Sequence, residues 1–490
     1  MIEGLVAALP CLLAVATGLA AQLTRNTRQS DRRNIVGATL TAAAAFGLAI
    51  RVLAKPNDLL DGSWYSLDPI GAVFLGVIAV VGLLSALVSP YQLSGEGRGL
   101  FSAVKARGRY YLTFHLFWAA LLAVPLVDNL GVAWLLVEAT TGASALLVAF
   151  SGRRRALEAG WKYLVLTTFG LAIALLGIVV LDAVAPTGGA LASLDWNTIA
   201  ATAPDMPGDA VAVAFLLIVC GLATKVGWAP VHNWLPDAHS EAPPAVSALL
   251  SAALLPAVAL VAWRVLAALG PALPAGQASA VFIAFGLVSL AIAVPFLWRP
   301  LPWKRLLAYS SLEHMGVIAL GIGLANPLAT VGVVIHVAGH ALAKALGFYA
   351  AIPLLRHDPG AARRPVRGLA AANPSTATAV GVTLTALAAL PPSPLFVSEL
   401  LVLLGAFEAG EPAVAIVAAA LLALGFLGLA HALIEALVGE PHAPRWRSGR
   451  GARQTRRLTF AVTAGLGALT GAAALLPGSA LAERLMEGVG

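Results

Sequence analysis

The chain has 490 residues, of which 59 % are apolar and only 11 % are charged. Ordinary soluble domains contain roughly 45–50 % apolar and about 25 % charged residues. With a mean hydropathy of +0.86, the chain has too few charges to cover a water-exposed surface and too much apolar surface for a disordered chain. The composition therefore excludes a soluble enzyme and predicts an integral membrane protein.

The net charge of +7 comes from basic residues that are spread over short loops. A nucleic-acid-binding protein concentrates such residues in one patch, so no nucleic-acid partner is predicted. Cys11 and Cys220 lie far apart in apolar runs, which excludes a disulfide framework and a cysteine-rich iron–sulfur or zinc site. The sequence also lacks a Walker loop and a glycine-rich dinucleotide loop. No cofactor and no metal site are predicted, and no redox chemistry is assigned to this chain.

A helix needs about 20 apolar residues to cross a bilayer core that is about 30 Å thick. The sequence contains fourteen such runs, which predicts an all-α membrane protein with about fourteen transmembrane helices. In chain order these predicted spans cover residues 3–23, 34–54, 70–90, 110–128, 130–150, 161–184, 209–240, 243–264, 277–297, 305–324, 327–355, 376–402, 412–438 and 458–477. Since the loops are short, residues 1–490 are predicted to form a single polytopic membrane domain.

Basic residues alternate between the two sides of these spans. If every run crosses, 25 of the 31 Lys and Arg residues fall in the loops after spans 1, 3, 5, 9, 11 and 13. The opposite loops contain Lys55 as their one basic residue and collect Asp and Glu. Because basic loops stay in the cytoplasm, the first set of loops is predicted to be cytoplasmic and both termini to face outward. The predicted location is the inner (plasma) membrane.

Several predicted spans contain ionisable residues, although a charge at the bilayer centre costs from about 3 to over 10 kcal/mol. Such residues are candidates for function, and they are Glu138, Lys225, Glu313, His314, His336, His340, Lys344 and Glu399. His336, His340 and Lys344 recur every four residues, so on a helix they share one face. Three costly groups on one face indicate a polar or hydrated lane.

Structural roles are the alternative for some of these residues. Glu138 taken alone fits one half of a structural ion pair. His115 and His431 are interpreted as hydrogen-bonded core residues. His232 and His239 flank a helix break, where an imidazole either takes part in a site or satisfies the loosened backbone.

Prolines interrupt two of the predicted spans. Span 7 contains Pro230, and span 12 contains Pro391 and Pro392. Proline removes an intrahelical hydrogen bond, so the backbone at each break must face protein or water. Broken helices five spans apart, with Lys225 beside the first break and Glu399 beside the second, predict an inverted repeat with an ion site at the membrane midplane.

The same offset of five spans relates Glu138 in span 5 to Glu313 in span 10. The two predicted repeats are spans 4–8, within residues 110–264, and spans 9–13, within residues 277–438. Residues 1–109 then hold the N-terminal helices 1–3, and residues 458–477 hold the last helix. Because five is an odd number, the two repeats have opposite orientations in the membrane.

Residues 225–247, KVGWAPVHNWLPDAHSEAPPAVS, resemble the signature of antiporter-like membrane subunits. These subunits belong to respiratory complex I, Mrp cation/proton antiporters and energy-converting hydrogenases. The resemblance continues through KRLLAYSSLEHMG at 304–316, through the face with His336, His340 and Lys344, and through LPPSPLFVSE at 390–399. It covers spans 4–13, and its second half is most similar to hydrogenase-4 component F and related subunits.

The resemblance implies a non-catalytic, proton-translocating subunit of a redox-driven complex of the membrane-bound hydrogenase or NADH–quinone oxidoreductase type. Its partners would be other membrane subunits and a peripheral redox module on the cytoplasmic side. Two half-channels would be joined by a polar axis across the membrane centre. Glu138 would pair with Lys225, and Glu399 would be the terminal carboxylate. His336, His340 and Lys344 would form the central relay, with His232, His239, Glu313 and His314 as accessory candidates.

Pro256 departs from the family pattern, because it stands where many members have a lysine in span 8. Either water or a neighbouring side chain bridges that gap, or the subunit does not complete a pumping path. Three alternatives therefore stay open beside the redox-driven pump. They are an Mrp-like cation/proton antiporter, an inorganic-carbon uptake module, and a non-pumping structural subunit.

Overall fold

The computed structural model describes residues 2–54, 60–94, 103–186, 194–441 and 450–475. This part of the chain is mostly helical. Its sheet is one antiparallel hairpin, β1 (Leu60–Asp61) and β2 (Ser66–Leu67), in which Leu60 pairs with Leu67. Four basic residues of the predicted alternation lie outside the described residues, namely Lys55, Arg98, Arg445 and Arg447.

The helices fall into three groups along the chain. The first group is α1 (Ile2–Gln22), α2 (Thr27–Ala54), α3 (Pro69–Leu93) and α4 (Ala103–Ala123). The second is α5 (Leu130–Val148), α6 (Arg154–Val184), α7 (Trp196–Thr202), α8 (Gly208–Val226), α9 (Leu235–Glu241), α10 (Pro244–Leu249) and α11 (Leu255–Leu269). The third is α12 (Gln277–Leu297), α13 (Trp303–Leu324), α14 (Pro327–His357), α15 (Leu369–Ala372), α16 (Pro374–Leu387), α17 (Pro394–Glu408), α18 (Pro412–Val438) and α19 (Arg450–Leu475).

Eleven helices in the described part are long and apolar enough to cross a membrane. Each of the fourteen predicted runs coincides with one helix or with a consecutive set of helices. The run at 209–240 becomes α8 and α9, and the run at 376–402 becomes α16 and α17. A π-helix, Leu250–Leu254, joins α10 to α11 within the run at 243–264. The multi-span helical class is thus confirmed, while the count of fourteen crossings stays a prediction.

Short polar side chains and one glycine determine where several of these helices begin or end. Asn129, Asn326 and Asn373 cap α5, α14 and α16, because each side-chain oxygen accepts a hydrogen bond from a first-turn backbone N–H. Gly227 ends α8 in the left-handed conformation, with φ of 78°. A Cβ at Gly227 would lie 2.5 Å from Leu235 Cδ1, so the close approach also requires glycine.

Helix packing from α4 to α11 has a counterpart from α12 to α18. The pairs α4 with α5, α5 with α6, α6 with α8, and α8 with α11 are all in contact. The pairs α12 with α13, α13 with α14, α14 with α16, and α16 with α18 are in contact in the same order. The broken-helix pieces also correspond, since α9 packs on α6 as α17 packs on α14.

Helices α10, α11, α13 and α14 are buried on nearly all sides. By contrast, α6, α12 and α18 each bury one stripe and leave the rest of their surface open. Polar groups on α13 and α14 are therefore shielded by protein, and the surrounding helices offer apolar surfaces to lipid.

Candidate functional site

Lys225 lies in the last turn of α8 and is fully buried. Its Nζ donates to Thr141 Oγ1 on α5 at 2.7 Å and to the Tyr163 hydroxyl on α6 at 2.5 Å. Tyr163 also shares a hydrogen bond of 2.7 Å with Ser144. Hydroxyl groups from two neighbouring helices thus solvate an ammonium that has no access to water.

Glu138 reaches Lys225 through Thr141. The Thr141 hydroxyl is 3.3 Å from Glu138 Oε2, and Thr168 Oγ1 donates to Glu138 Oε1 at 2.9 Å. Among the described residues, the Lys225 ammonium forms no salt bridge within 4.0 Å. The predicted pair is therefore an indirect one, with a threonine hydroxyl between its two charges.

Sequence reasoning missed the hydroxyl groups of Thr141, Tyr163 and Thr168. A signal exists for Thr141, because it follows Glu138 by three residues and so lies on the same helix face. Tyr163 and Thr168 carry no comparable signal, since threonine and tyrosine are ordinary residues in apolar helices. Only the packing of α6 against α5 and α8 places them.

The break between α8 and α9 contains Pro230, which is exposed. Trp234 Nε1 donates to the Thr224 carbonyl at 2.6 Å, and the Ala229 N–H donates to Ser289 Oγ at 2.9 Å. The side chains of Trp234 and Ser289 thus provide hydrogen-bond partners for backbone groups at the break. The fully buried His239 does not, because neither ring nitrogen has a hydrogen-bond partner among the described residues. His232 is also buried, and its Nδ1 lacks a partner there.

Lys344 is the corresponding buried lysine near the centre of the molecule. Its Nζ donates to the Leu307 carbonyl at 2.6 Å and to Ser310 Oγ, both on α13. The next residue, Ser311, shares a hydrogen bond of 2.7 Å with Ser251 in the π-helix. A line of polar groups therefore joins α14, α13 and the segment between α10 and α11.

The predicted face of α14 is present, and α13 inserts a further imidazole into it. His314 Nδ1 lies 3.0 Å from His336 Nε2, and His336 Nδ1 lies 2.9 Å from Ser398 Oγ on α17. The His340 ring stands 5.2 Å from the His314 ring, between ring centroids. All three imidazoles are fully buried. His314, an accessory candidate by sequence, thus lies in the middle of the cluster.

Two carboxylates border this imidazole cluster. Glu399 on α17 is half-buried, and one of its oxygens lies within 4.8 Å of a ring nitrogen of both His314 and His336. Glu313 is buried, and its Oε2 has no hydrogen-bond partner among the described residues. A Cβ on Gly425 in α18 would collide with Glu313 Oε1, so glycine makes room for the carboxylate. Pro391 and Pro392 are exposed in the break before α17.

Pro256 is buried in the first turn of α11, directly after the π-helix. No lysine stands at this point of the chain, and the nearest polar groups in the same segment are Ser247 and Ser251. The Ser247 hydroxyl donates to the His239 carbonyl at 2.8 Å. The segment that precedes Pro256 thus contains serine hydroxyls, and the break before that segment contains the unpartnered ring of His239.

Comparisons with known proteins identify the family of the chain. Residues 127–426 match the family described as NADH:quinone oxidoreductase/Mrp antiporter, transmembrane. A hydrogenase-4 component F homolog from Methylacidiphilum infernorum is 32 % identical, with 82 % of this chain and 84 % of the relative covered. NADH-quinone oxidoreductase subunit N from Desulforudis audaxviator is 30 % identical, with 83 % and 80 % covered.

Two solved structures have the same fold. A chain of the membrane-bound sulfane sulfur reductase, an archaeal respiratory membrane complex, aligns with a TM-score of 0.86 and 20 % identity over 100 % of this chain and 97 % of its own. A chain of the Mrp complex from Dietzia aligns with a TM-score of 0.81 and 21 % identity over 100 % and 99 %. The chain therefore belongs to the NADH:quinone oxidoreductase/Mrp antiporter transmembrane family and is an antiporter-like membrane subunit of the complex I and membrane-bound hydrogenase type.

Proposed function

We propose that this subunit carries protons across the membrane along a buried axis that runs from Glu138 to Glu399. The observation that carries the proposal is the succession of buried titratable groups through both halves of the molecule. A structural protein has no reason to bury two lysines and four imidazoles without carboxylate partners in contact, because each such group destabilises the fold.

In the first half, the proposal assigns the proton-binding role to Lys225. Glu138 stabilises the charged ammonium through the Thr141 hydroxyl. When that link weakens, the cost of a buried charge favours the neutral amine, and the proton moves on. Tyr163 accepts a hydrogen bond from the ammonium and holds it in place. A hydroxyl bridge makes the coupling sensitive to small movements of α5 relative to α8.

At the centre, His239 and the serine pair take the place of the lysine that Pro256 replaces. The ring of His239 stacks on Phe348 of α14 at 5.6 Å, one turn from Lys344. Its two unpartnered nitrogens offer both a donor and an acceptor to water. Water bound there connects Tyr163 and Trp234 on one side with Lys344 on the other, and it completes the path without a span 8 lysine.

In the second half, the proton passes from Lys344 through the imidazoles to Glu399. Neutral imidazole donates at one nitrogen and accepts at the other, so the hydrogen bond between His314 and His336 allows transfer from ring to ring. Glu399 is the one half-buried member of this group and stands nearest a water-accessible break. Glu313 is the nearby carboxylate that stabilises a charge on the relay.

The finer architecture belongs to the same proposal. We infer fourteen crossings and two inverted repeats, α4 to α11 and α12 to α18, supported by the matching order of helix contacts. Both termini then face outward in the inner membrane.

A cysteine that replaces Arg155 should be shielded from an impermeant maleimide added to intact cells, whereas a cysteine that replaces Asp205 should react. Cys11→Ser and Cys220→Ser give the unreactive background, and the reverse labelling contradicts the orientation.

The partners are proposed from the relatives. One relative is named as a hydrogenase-4 component and another as a subunit of NADH-quinone oxidoreductase. We therefore infer assembly with other membrane subunits and a peripheral redox module on the cytoplasmic side. The likeness to a chain of an Mrp complex favours a cation/proton antiporter as the second candidate. An inorganic-carbon uptake module and a non-pumping scaffold remain further alternatives.

Purification of the native complex, followed by identification of its subunits and reconstitution into vesicles, tests these assignments together. Redox subunits and proton uptake linked to electron-transfer turnover support the pump. Antiporter subunits with sodium-dependent proton movement support the second candidate. Turnover without any proton movement contradicts translocation and supports the scaffold.

A further inference from the structure

We infer that His314, His336 and Glu399 form a binding site for a divalent transition-metal ion of the zinc class. Binding follows from the geometry alone. Its consequence, a block of proton movement, rests on the proposed function, because the metal would occupy the nitrogens that relay the proton.

The three side chains come from α13, α14 and α17 and converge on one point. Their donor atoms all lie within 4.8 Å of one another, and the two imidazole nitrogens are 3.0 Å apart. Tetrahedral ligands at about 2.0–2.1 Å from zinc lie about 3.3 Å from each other. The donor atoms are therefore separated by up to about 1.5 Å more than the ligands of a bound zinc ion, and we expect rotation of the side chains to close this gap.

The donor set suits zinc. Two imidazoles and one carboxylate are ligands that zinc accepts in proteins, with a fourth position open to water. His336 already uses its other nitrogen, Nδ1, in a hydrogen bond of 2.9 Å to Ser398 Oγ. Metal-binding histidines commonly have such a second partner, which fixes the ring and its tautomer.

A further observation concerns His314. Its Nε2 is buried and has no hydrogen-bond partner among the described residues. When a metal binds at Nδ1, the proton shared with His336 leaves that position. The proton of the neutral His314 ring can then lie on Nε2, because this nitrogen forms no hydrogen bond that would have to break. The tautomer that metal binding at Nδ1 requires is therefore accessible.

His340 provides the matched control inside the same cluster. Its ring is 5.2 Å from His314 between centroids, and it is equally buried. It is not among the three residues whose donor atoms converge. If metal bound nonspecifically to any of the clustered histidines, His340 would matter as much as His336. The inferred site depends on His336 and not on His340.

The test uses the purified complex in detergent and Co²⁺ as a spectroscopic probe that zinc displaces. Co²⁺ should bind with visible absorption bands of low coordination number. His314→Gln, His336→Gln and Glu399→Gln should each weaken binding at least tenfold, and His340→Gln should leave it within twofold. Equal losses in all four variants, or no loss in the first three, overturns the site.

A second measurement does not depend on the variants. X-ray absorption of zinc bound to the wild-type complex should give nitrogen and oxygen neighbours at about 2.0–2.1 Å with the scattering pattern of two imidazoles. A first shell without imidazole contradicts the assignment. Zinc should also inhibit proton uptake in vesicles, reversibly with chelator. Metal binding in a complex that moves no protons would refute the proposed function and leave the site intact.

Discussion

The two halves of the molecule solve the burial of a lysine in different ways. Lys225 is held by hydroxyl groups from two neighbouring helices, α5 and α6. Lys344 is held by one helix, α13, through a carbonyl and a serine. In the first half the lysine stands beside the broken helix, whereas in the second half a carboxylate, Glu399, takes that place. The charged residue beside the break is thus a lysine that precedes Pro230 in the first half and a glutamate that follows Pro392 in the second half.

The two halves also differ in whether their buried polar atoms have hydrogen-bond partners. Among the described residues, Lys225, Thr141 and Tyr163 all have partners. Around Lys344, ring nitrogens of His314 and His340 and one oxygen of Glu313 have none. Buried polar atoms are normally paired with protein or ordered water. The hydrogen bonds around Lys225 are therefore complete within the protein, whereas the imidazoles near Lys344, like the His239 ring beside the first break, require water to complete theirs.

Replacing the charged groups of the first half should give the largest effect. Loss of one member of a buried charge pair costs about 3–5 kcal/mol, and the lower end of that range, about 100-fold, applies here because Glu138 is half-buried and reaches Lys225 through Thr141. Lys225→Ala and Glu138→Gln should each reduce proton uptake in reconstituted vesicles at least 100-fold while the complex still assembles. Lys162→Ala is the control, because Lys162 on α6 is half-exposed and pairs with Glu158 at the surface. Wild-type proton uptake in either variant would reduce the pair to a structural feature.

The terminal carboxylate of the second half should be nearly as sensitive, but in a graded way. Glu399→Asp keeps an ionisable group next to His314 and His336, so about one tenth to one half of the proton flux should remain. Glu399→Gln removes the proton-accepting group and should leave less than a few per cent. Proton uptake and electron-transfer turnover are measured in the same vesicles. Normal pumping by Glu399→Gln would show that the exit lies elsewhere.

The hydroxyl bridge gives a smaller and more specific effect. A hydrogen bond to a charged group is worth about 1.5–3 kcal/mol, so Thr141→Val should slow proton uptake about tenfold. Thr140→Val is a matched control, because the adjacent Thr140 hydroxyl donates to the Val137 carbonyl of its own helix. If both variants behave alike, the effect of Thr141→Val is one of packing. In that case the hydroxyl bridge at Thr141 does not distinguish the first half of the molecule from the second.

The residues of the site that could be predicted from the sequence are the ionisable ones, because placing such a group in a membrane costs much free energy. Lys225, Lys344 and Glu399 stand out because ionisable residues rarely occur in apolar runs. The multi-span helical class follows from the lengths of the apolar runs, and the two breaks follow from proline. The alternating basic loops gave the expected orientation, which stays a prediction.

The remaining features depend on contacts between helices far apart in sequence. The insertion of His314 beside His336 requires the packing of α13 on α14. The hydroxyl partners of Lys225 and the serine pair Ser251 and Ser311 are residue types that are common in apolar helices, so no sequence pattern identifies them. The π-helix before Pro256 likewise has no signal in the hydrophobic pattern. Sequence therefore identified most of the charged groups and not the network that connects them.

The segments that lead into α13 and into α5 also differ in the sign of their charge. The loop before α13 contains Arg299, and the first turn of α13 adds Lys304 and Arg305, whereas the turn before α5 contains Asp128. Burial, together with the nearby carboxylates of Asp61 and Asp195, raises the pKa of Asp128 to about 6, although Arg264 acts in the opposite direction. The folded chain thus holds a proton on Asp128 at higher pH than is usual for an aspartate.

The smallest expected effect follows from this turn. Because the folded chain binds the Asp128 proton more tightly than the unfolded chain, the stabilising contribution is present below about pH 4 and is lost as the pH rises to about 6. Asp128→Asn should therefore leave the melting temperature of the purified complex nearly unchanged at pH 4 and raise it by about 1–3 °C at pH 7. Asp205→Asn, at an exposed position, is the control. An equal change in melting temperature at both pH values would mean that the turn before α5 is stabilised by packing. The negative charge of Asp128 would then have no effect on the stability of the complex.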